Sequence, residues 1–195
     1  MQLRAFGPRA VLVELGDAHA ALALAAWARG ARLPVAEVVP AAQTVLFDGV
    51  RDPESLRASL AAWDGSAPTL ERAPVEVPVT YDGQDLAFVA ELWGTDVDGV
   101  VERHTSTAFV SAFCGFAPGF AYLAGLGGSV PRLDAPRSRV PAGAVGLAGA
   151  WCGVYPTASP GGWRLLGRTS IPLWDPALDE PALLAPGTPV RFVRA

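Results

Sequence analysis

The stretch FCGFAPGFAYL, Phe113 to Leu123, decides how the chain reads. Aromatic rings alternate with Gly and Pro, which makes a rigid loop presenting rings and backbone N–H groups. The same punctuation continues in both directions. From Thr107 onward, short apolar runs are broken by Gly and Pro at frequent intervals with little helical pattern. That is the signature of a small barrel or sandwich. Immediately upstream, Asp85 to Trp93 and Asp96 to Thr105 read as two short helices separated by Gly94, and Val75 to Tyr81 as a strand of alternating Val and polar residues.

Further toward the N-terminus the pattern changes. A polar, Pro-containing linker runs from Gly65 to Pro74, and a boundary near residue 72 divides the chain into 1–72 and 73–195. In the first part, Arg9 to Leu15 is β-rich, and Asp17 is placed to cap an alanine-rich helix that Gly30 would end. Val35 to Val39 and Thr44 to Phe47 are strand-like. Asp52-Pro53 then opens a second helix, with Leu56, Leu60 and Trp63 as its apolar face. The expected order is β-α-β-β-α, a small α/β layer with helices on one side of a sheet. The fold class expected for the whole chain is α+β.

Composition narrows the chemistry. The 195 residues are 51% hydrophobic and 17% charged, enough apolar material for a core and incompatible with a disordered chain. Net charge is −4 and no basic run occurs, so nucleic acid is not an expected partner. All 15 cations are Arg. Without lysine, neither a Schiff base nor the phosphate-cradling lysine of a P-loop can form on this chain. The glycine spacings of the P-loop and dinucleotide fingerprints are also unmatched. Cys114 and Cys152 make neither a disulfide framework nor a zinc site, so no metal is expected. The N-terminus lacks the apolar core of a signal peptide, and Ala18 to Ala28 is too short to span a bilayer. The expectation is a cytoplasmic protein without a membrane partner.

Three segments stand out for chemistry. The first is the aromatic loop itself. The second, Arg137 to Gly146, runs two guanidinium groups into a Pro/Gly turn and a strand. The third, Gly153 to Gly167, carries a Pro-Gly-Gly hairpin with Trp163 and Arg164 on its return. Turns and cores of a β-rich domain call for the same residue types, so no single segment decides a function.

Together, FCGFAPGFAYL, RVPAGAVGL, GVYPTASPGGWRLLGRT and the closing WDPALDEPALLAPGTPVRFV resemble the family of 5-oxoprolinase B subunits (PxpB), also called KipI-like or allophanate hydrolase subunit 1. The resemblance extends upstream through VVERHTS and GPRAVLVELGD and covers essentially the whole chain. It implies a small α/β domain followed by a cyclophilin-like β-barrel. It further implies a non-autonomous member of an ATP-dependent 5-oxoprolinase complex that opens 5-oxo-L-proline to L-glutamate. The implied partners are the C subunit (KipA-like) and the A subunit of 5-oxoprolinase. ATP would act at the level of the complex, and the site is expected at the junction with the partner.

Carried onto this sequence, the family's motifs mark His104, Arg139 and Arg164 as candidate catalytic residues. They mark Phe116, Pro118, Gly119, Phe120, Tyr122, Pro141, Gly143, Tyr155, Pro156, Gly161, Gly162 and Trp163 as candidate substrate-binding residues. Arg139 and Arg164 suit bidentate contacts to a carboxylate or phosphate, or an ion pair within the protein. His104 is either a proton shuttle or a partner for the last carbonyls of its helix. Two departures stand out: Ala121 replaces the proline of the family's GFPYL, and Cys152 sits where a hydroxyl or small polar residue is more usual. Two other uses within the family stay open, an inhibitor of a sensor histidine kinase and an allophanate or urea-amidolyase-type component.

Overall fold

The computed structural model describes residues 1–66 and 72–195, so residues 67–71 of the expected linker lie outside the described residues. By internal contacts the chain divides into two compact units, Met1–Glu71 and Arg72–Ala195.

The first unit is a four-stranded antiparallel sheet with two helices. Strands β1 (Gln2–Ala5), β2 (Ala10–Glu14), β3 (Glu37–Pro40) and β4 (Thr44–Asp48) lie in the order β1-β2-β4-β3. Helices α1 (Ala18–Gly30) and α2 (Pro53–Ala61) follow β2 and β4. Alternate residues Val11, Val13, Val45 and Phe47 turn inward, the period of a strand with one buried face. Ala21, Leu24 and Ala25 of α1 and Leu56 and Leu60 of α2 complete this core. Phe47 and Leu60 are fully buried, each contributing roughly 1.5–3 kcal/mol on the usual transfer scale.

Both helices start where their caps demand. Asp17 accepts a hydrogen bond from the Ala20 N–H at 2.8 Å, and Asp52 from Glu54 and Ser55 at 3.0 and 3.1 Å. The expected β-α-β-β-α order lacks β1. Only Leu3 of that strand faces the core, so its own sequence carries almost no β pattern; pairing with β2 makes it a strand.

The second unit is a nearly closed barrel. Strands β5 (Val75–Val79), β6 (Phe109–Cys114), β7 (Ala121–Ala124), β9 (Ala144–Ala148), β10 (Trp151–Val154), β12 (Arg164–Arg168) and β13 (Pro189–Arg194) form one sheet, ordered β12-β9-β10-β7-β6-β13-β5. All neighbours are antiparallel except β13 and β5. Thr80, just past β5, exchanges two backbone hydrogen bonds with Arg168 at the end of β12, at 2.9 and 3.0 Å. That bridge joins the two edge strands and removes most of the exposed edge. Strands β8 (Arg137–Val140) and β11 (Ser159–Gly161) make a separate two-stranded ribbon.

Helices α3 (Leu86–Trp93) and α4 (Val97–Ser106) bury Val89, Ala90 and Val100 with Val77, Leu123, Leu147, Leu166 and Phe192 of the barrel. Gly94 ends α3 in the left-handed conformation (φ 66°), which a side chain would strain. A second, aromatic cluster of Phe120, Tyr155, Trp163 and Leu165 packs beside this core. The architecture is therefore mixed α and β, with a barrel-like seven-stranded sheet.

Candidate functional site

The aromatic cluster walls a cavity of about 390 Å³. The loop between β6 and β7 supplies Phe116 and Phe120, and β7 supplies Tyr122. Trp151 of β10, Tyr155 just after it and Trp163 just before β12 close the remaining walls. The rings meet mostly edge to face: Phe120 and Trp163 lie 5.3 Å apart at 89°, Phe116 and Phe120 5.3 Å at 70°. Such pairs are favoured by their quadrupoles and fix one another's orientation.

Two features of the backbone stand out beside this cavity. Phe116 adopts φ +70°, a left-handed conformation that disfavours any side chain, yet its ring is 63% exposed at the cavity. Strain held by an exposed aromatic is common where a loop serves a site rather than a core. Gly161 lies against Tyr155, and a Cβ there would press into the phenol ring and its oxygen. Gly153 is similarly enclosed, its missing Cβ facing Phe120 and Trp163 at 3.1 and 3.0 Å.

Arg132 is the one charged residue among the described residues lining the cavity. It forms no ion pair among the described residues. Burial pushes the Tyr122 and Tyr155 phenols above their ordinary pKa, opposed by the Arg132 charge. Both are therefore protonated O–H groups at neutral pH. No carboxylate, imidazole or thiol lines the cavity among the described residues, and the polar side chains it offers are two phenols, the indole N–H of each Trp and one guanidinium.

The other candidates from the sequence fall into distinct places. Gly119, Gly143 and Gly162 shape backbone. Gly143 (φ +79°) sits in the turn after Pro141, donates to the Tyr155 carbonyl at 2.7 Å and accepts from Thr169 at 2.9 Å. Pro118 is exposed on the aromatic loop, and Pro156 follows Tyr155 half-buried. Arg139 is exposed on β8 and does not line the cavity.

Arg164 is committed inside the protein. Its guanidinium lies 3.5 Å from Asp85, donates to the Pro131 carbonyl at 3.2 Å and stacks over the Phe88 ring at 3.7 Å. Asp85 is buried and also accepts from Arg137 at 2.8 and 3.0 Å and from the Leu165 N–H at 2.7 Å.

His104 is fully buried in the barrel core, away from the cavity. Its Nδ1 shares a 2.7 Å hydrogen bond with the Tyr81 hydroxyl, and its Nε2 lies 3.3 Å from Cys152 Sγ. The ring packs on Phe192 at 4.3 Å. Neither the cavity nor the last carbonyls of α4 engage it. Burial lowers its pKa to about 3, so the imidazole is neutral at physiological pH. Burial likewise pushes the Cys152 thiol up, which keeps it protonated.

Arg132, Trp151 and Asp85 carry no functional signal in the sequence. Arg132 stands in SVPRLD, between the aromatic loop and β8, where nothing marks it except the cavity it reaches. Arg137 is one of the two guanidinium groups of the second segment, and the structure gives it, not Arg139, the buried carboxylate partner.

The barrel-like seven-stranded sheet places the chain in the class of carboxyltransferase-domain proteins. Residues 1–184 match the family described as carboxyltransferase domain, subdomain C and D. Within it, the chain belongs to the family of 5-oxoprolinase B subunits. It is 45% identical over 170 residues to the 5-oxoprolinase B subunit of Escherichia coli O157:H7, covering 82% of this chain and 78% of that one. The crystal structure of TTHA0988 is similar with a TM-score of 0.80 and 36% identity over 96% of this chain, which spans 40% of the TTHA0988 chain. Urea amidolyase of K. lactis, at 20% identity and a TM-score of 0.74, shares the fold; this chain spans 15% of it.

Proposed function

We propose that this chain is a non-autonomous subunit of an ATP-dependent 5-oxoprolinase complex that converts 5-oxo-L-proline to L-glutamate. The observation that carries the reading is the cavity: aromatic walls, two phenol O–H groups and one cation, with no acid, base or nucleophile that titrates near neutrality among its described lining residues. Such a site binds and orients a small anionic ring, and leaves bond-breaking to groups from other chains. The 45% identity to a 5-oxoprolinase B subunit supports the same division of labour.

The residues present do not fit a nucleotide triphosphate. The chain has no lysine, a single guanidinium faces the cavity, and no group of three or more His, Cys, Asp or Glu able to hold a metal ion occurs among the described residues. ATP therefore belongs to the partner chains in this reading, and those partners are the A and C subunits of the complex. We place the complex in the cytoplasm, in keeping with free thiols at Cys114 and Cys152. No helix among the described residues is long and apolar enough to cross a membrane. The barrel is of cyclophilin-like type in the same reading, without prolyl-isomerase activity, since a fold does not carry its function with it.

The test is reconstitution with the A and C subunits, measuring 5-oxoproline-dependent ADP release and glutamate formation, with a control that omits only this chain. Turnover that disappears on omission supports the proposed role. Full turnover without the chain removes it.

A further inference from the structure

Resting on the reading of this chain as the substrate-binding member of a complex, we infer that Arg132 anchors the carboxylate of a small planar monoanion inside the aromatic cavity, and that Arg164 acts as its positioning residue. Arg132 belongs to the loop between β7 and β8, where a lone arginine would ordinarily be a mobile surface charge. Here the backbone on both sides of it is tied down. Pro131 accepts from Arg164 Nε at 3.2 Å, and the Leu133 N–H donates to the Gly162 carbonyl at 2.8 Å. One residue before Pro131, Val130 exchanges two hydrogen bonds with Gly149, at 2.9 and 2.7 Å. These ties hold Val130, Pro131 and Leu133 to the rim of the cavity, and the guanidinium is delivered there with its loop already ordered.

The rim also makes room for it. A Cβ on Gly162 would stand 3.6 Å from Arg132 Nη2, ordinary contact, so a larger side chain at that position would crowd the fork. Arg164 is not free to bind the ligand itself, because Asp85, Pro131 and Phe88 occupy its donors and its face. Its contribution is indirect, through the Pro131 carbonyl.

The lining selects the ligand's chemistry. A planar guanidinium matches a carboxylate bidentately and supplies the opposite charge. The aromatic lining suits a planar ring or amide. One cation balances one negative charge; a dianion or polyphosphate would bring charge the cavity leaves unmatched. The protonated phenols of Tyr122 and Tyr155 add O–H groups for a carbonyl oxygen.

The experiment is calorimetric titration of the full chain with 5-oxo-L-proline and with 2-pyrrolidinone, the same lactam without its carboxylate. Arg132→Gln is expected to fold normally, since Arg132 is exposed and unpaired among the described residues. It should weaken 5-oxoproline binding by roughly tenfold or more while leaving 2-pyrrolidinone unaffected, the loss of one charge-assisted pair. Arg164→Gln should weaken 5-oxoproline less, and a tethered loop should not be needed for the neutral lactam. Equal binding of 5-oxoproline by Arg132→Gln and wild type overturns the inference. So does equal affinity for acid and neutral lactam, and so does failure of the chain to bind either. These outcomes are separate from the reconstitution result: a complex that requires this chain keeps its proposed role even if Arg132 proves indifferent.

Discussion

Arg137 holds Asp85 through one nitrogen, Nη2 lying 2.8 Å from one carboxylate oxygen and 3.0 Å from the other, while Nη1 of the same guanidinium donates to the Trp163 carbonyl at 3.1 Å. Asp85 also accepts from the N–H of Leu165. The residues on both sides of the Trp163–Arg164 peptide are therefore tied to one buried carboxylate, and the cavity wall is tied with them. Asp85 opens α3 without making a side-chain cap bond, because its oxygens are spent on the barrel.

Removing that carboxylate should be costly. Asp85→Ala leaves two guanidinium groups and one N–H without their acceptor, and breaking a buried pair in this way typically costs about 3–5 kcal/mol. Arg137→Met should cost less, since Arg164 and Leu165 still face Asp85. Denaturant midpoints of the three proteins check the order. A loss below about 1 kcal/mol for Asp85→Ala would show that the network is dispensable.

His104 should make the fold acid-sensitive in a defined window. Its folded-state pKa of about 3 lies below the ordinary 6.5, so the unfolded chain binds the proton first as pH falls. Above pH 6.5 both states are neutral and His104 adds no pH dependence. Between 6.5 and about 3 the protein should lose about 1.4 kcal/mol per pH unit from this residue. His104→Gln does not titrate, so the wild-type minus variant difference should fall across that window and be flat above it. A constant difference at all pH values would sink the assignment. If the variant fails to fold, the wild-type His104 ring should show no NMR titration until the protein unfolds in acid.

The elements that can be read from sequence are those with local causes. Asp17 and Asp52 each precede a helix and each accepts the expected N–H; Gly94 stops α3 by its left-handed turn. The Gly- and Pro-broken run from Thr107 gives the β-rich half. Strand β1 is hidden because it depends on β2 for its partners. The aromatic half of the site is legible because rings at Phe116, Phe120, Tyr122, Tyr155 and Trp163 sit in recognisable motifs. Its charged half is not. Arg132 reaches the cavity through loop tethers from Arg164 and Gly162, and Asp85 meets Arg137 across 52 positions of sequence. Long-range pairings of this kind leave no local pattern, whereas the motif arginines Arg139 and Arg164 are conspicuous and lie outside the cavity lining.

Gly161 and Gly162 are neighbours with different roles, and alanine should separate them. A Cβ on Gly161 would strike the Tyr155 ring, at 2.9 Å from two of its carbons and nearer still to its oxygen, so the ring of this cavity wall would have to shift. A Cβ on Gly162 meets nothing closer than 3.6 Å. Gly161→Ala should cost about 1–3 kcal/mol, as overpacking does, and weaken 5-oxoproline binding markedly. Gly162→Ala should fold as wild type. Thermal melts and the same titration check both, and equal behaviour of the two variants would mean that Tyr155 has room to move.

Phe116 should separate stability from binding in the opposite sense. Its ring is exposed, so little apolar burial is lost with it, while its φ of +70° is strained for any residue but glycine. Left-handed backbone in a non-glycine residue costs of order 1–3 kcal/mol, partly offset on replacement by the greater freedom of glycine in the unfolded chain. Phe116→Gly should therefore melt within a few degrees of wild type, or above it. Its 5-oxoproline affinity should fall all the same, because the ring that faces Phe120 and Tyr155 across the cavity mouth is gone. A large drop in melting temperature would instead show that those edge-to-face contacts hold the loop more strongly than its strain opposes it.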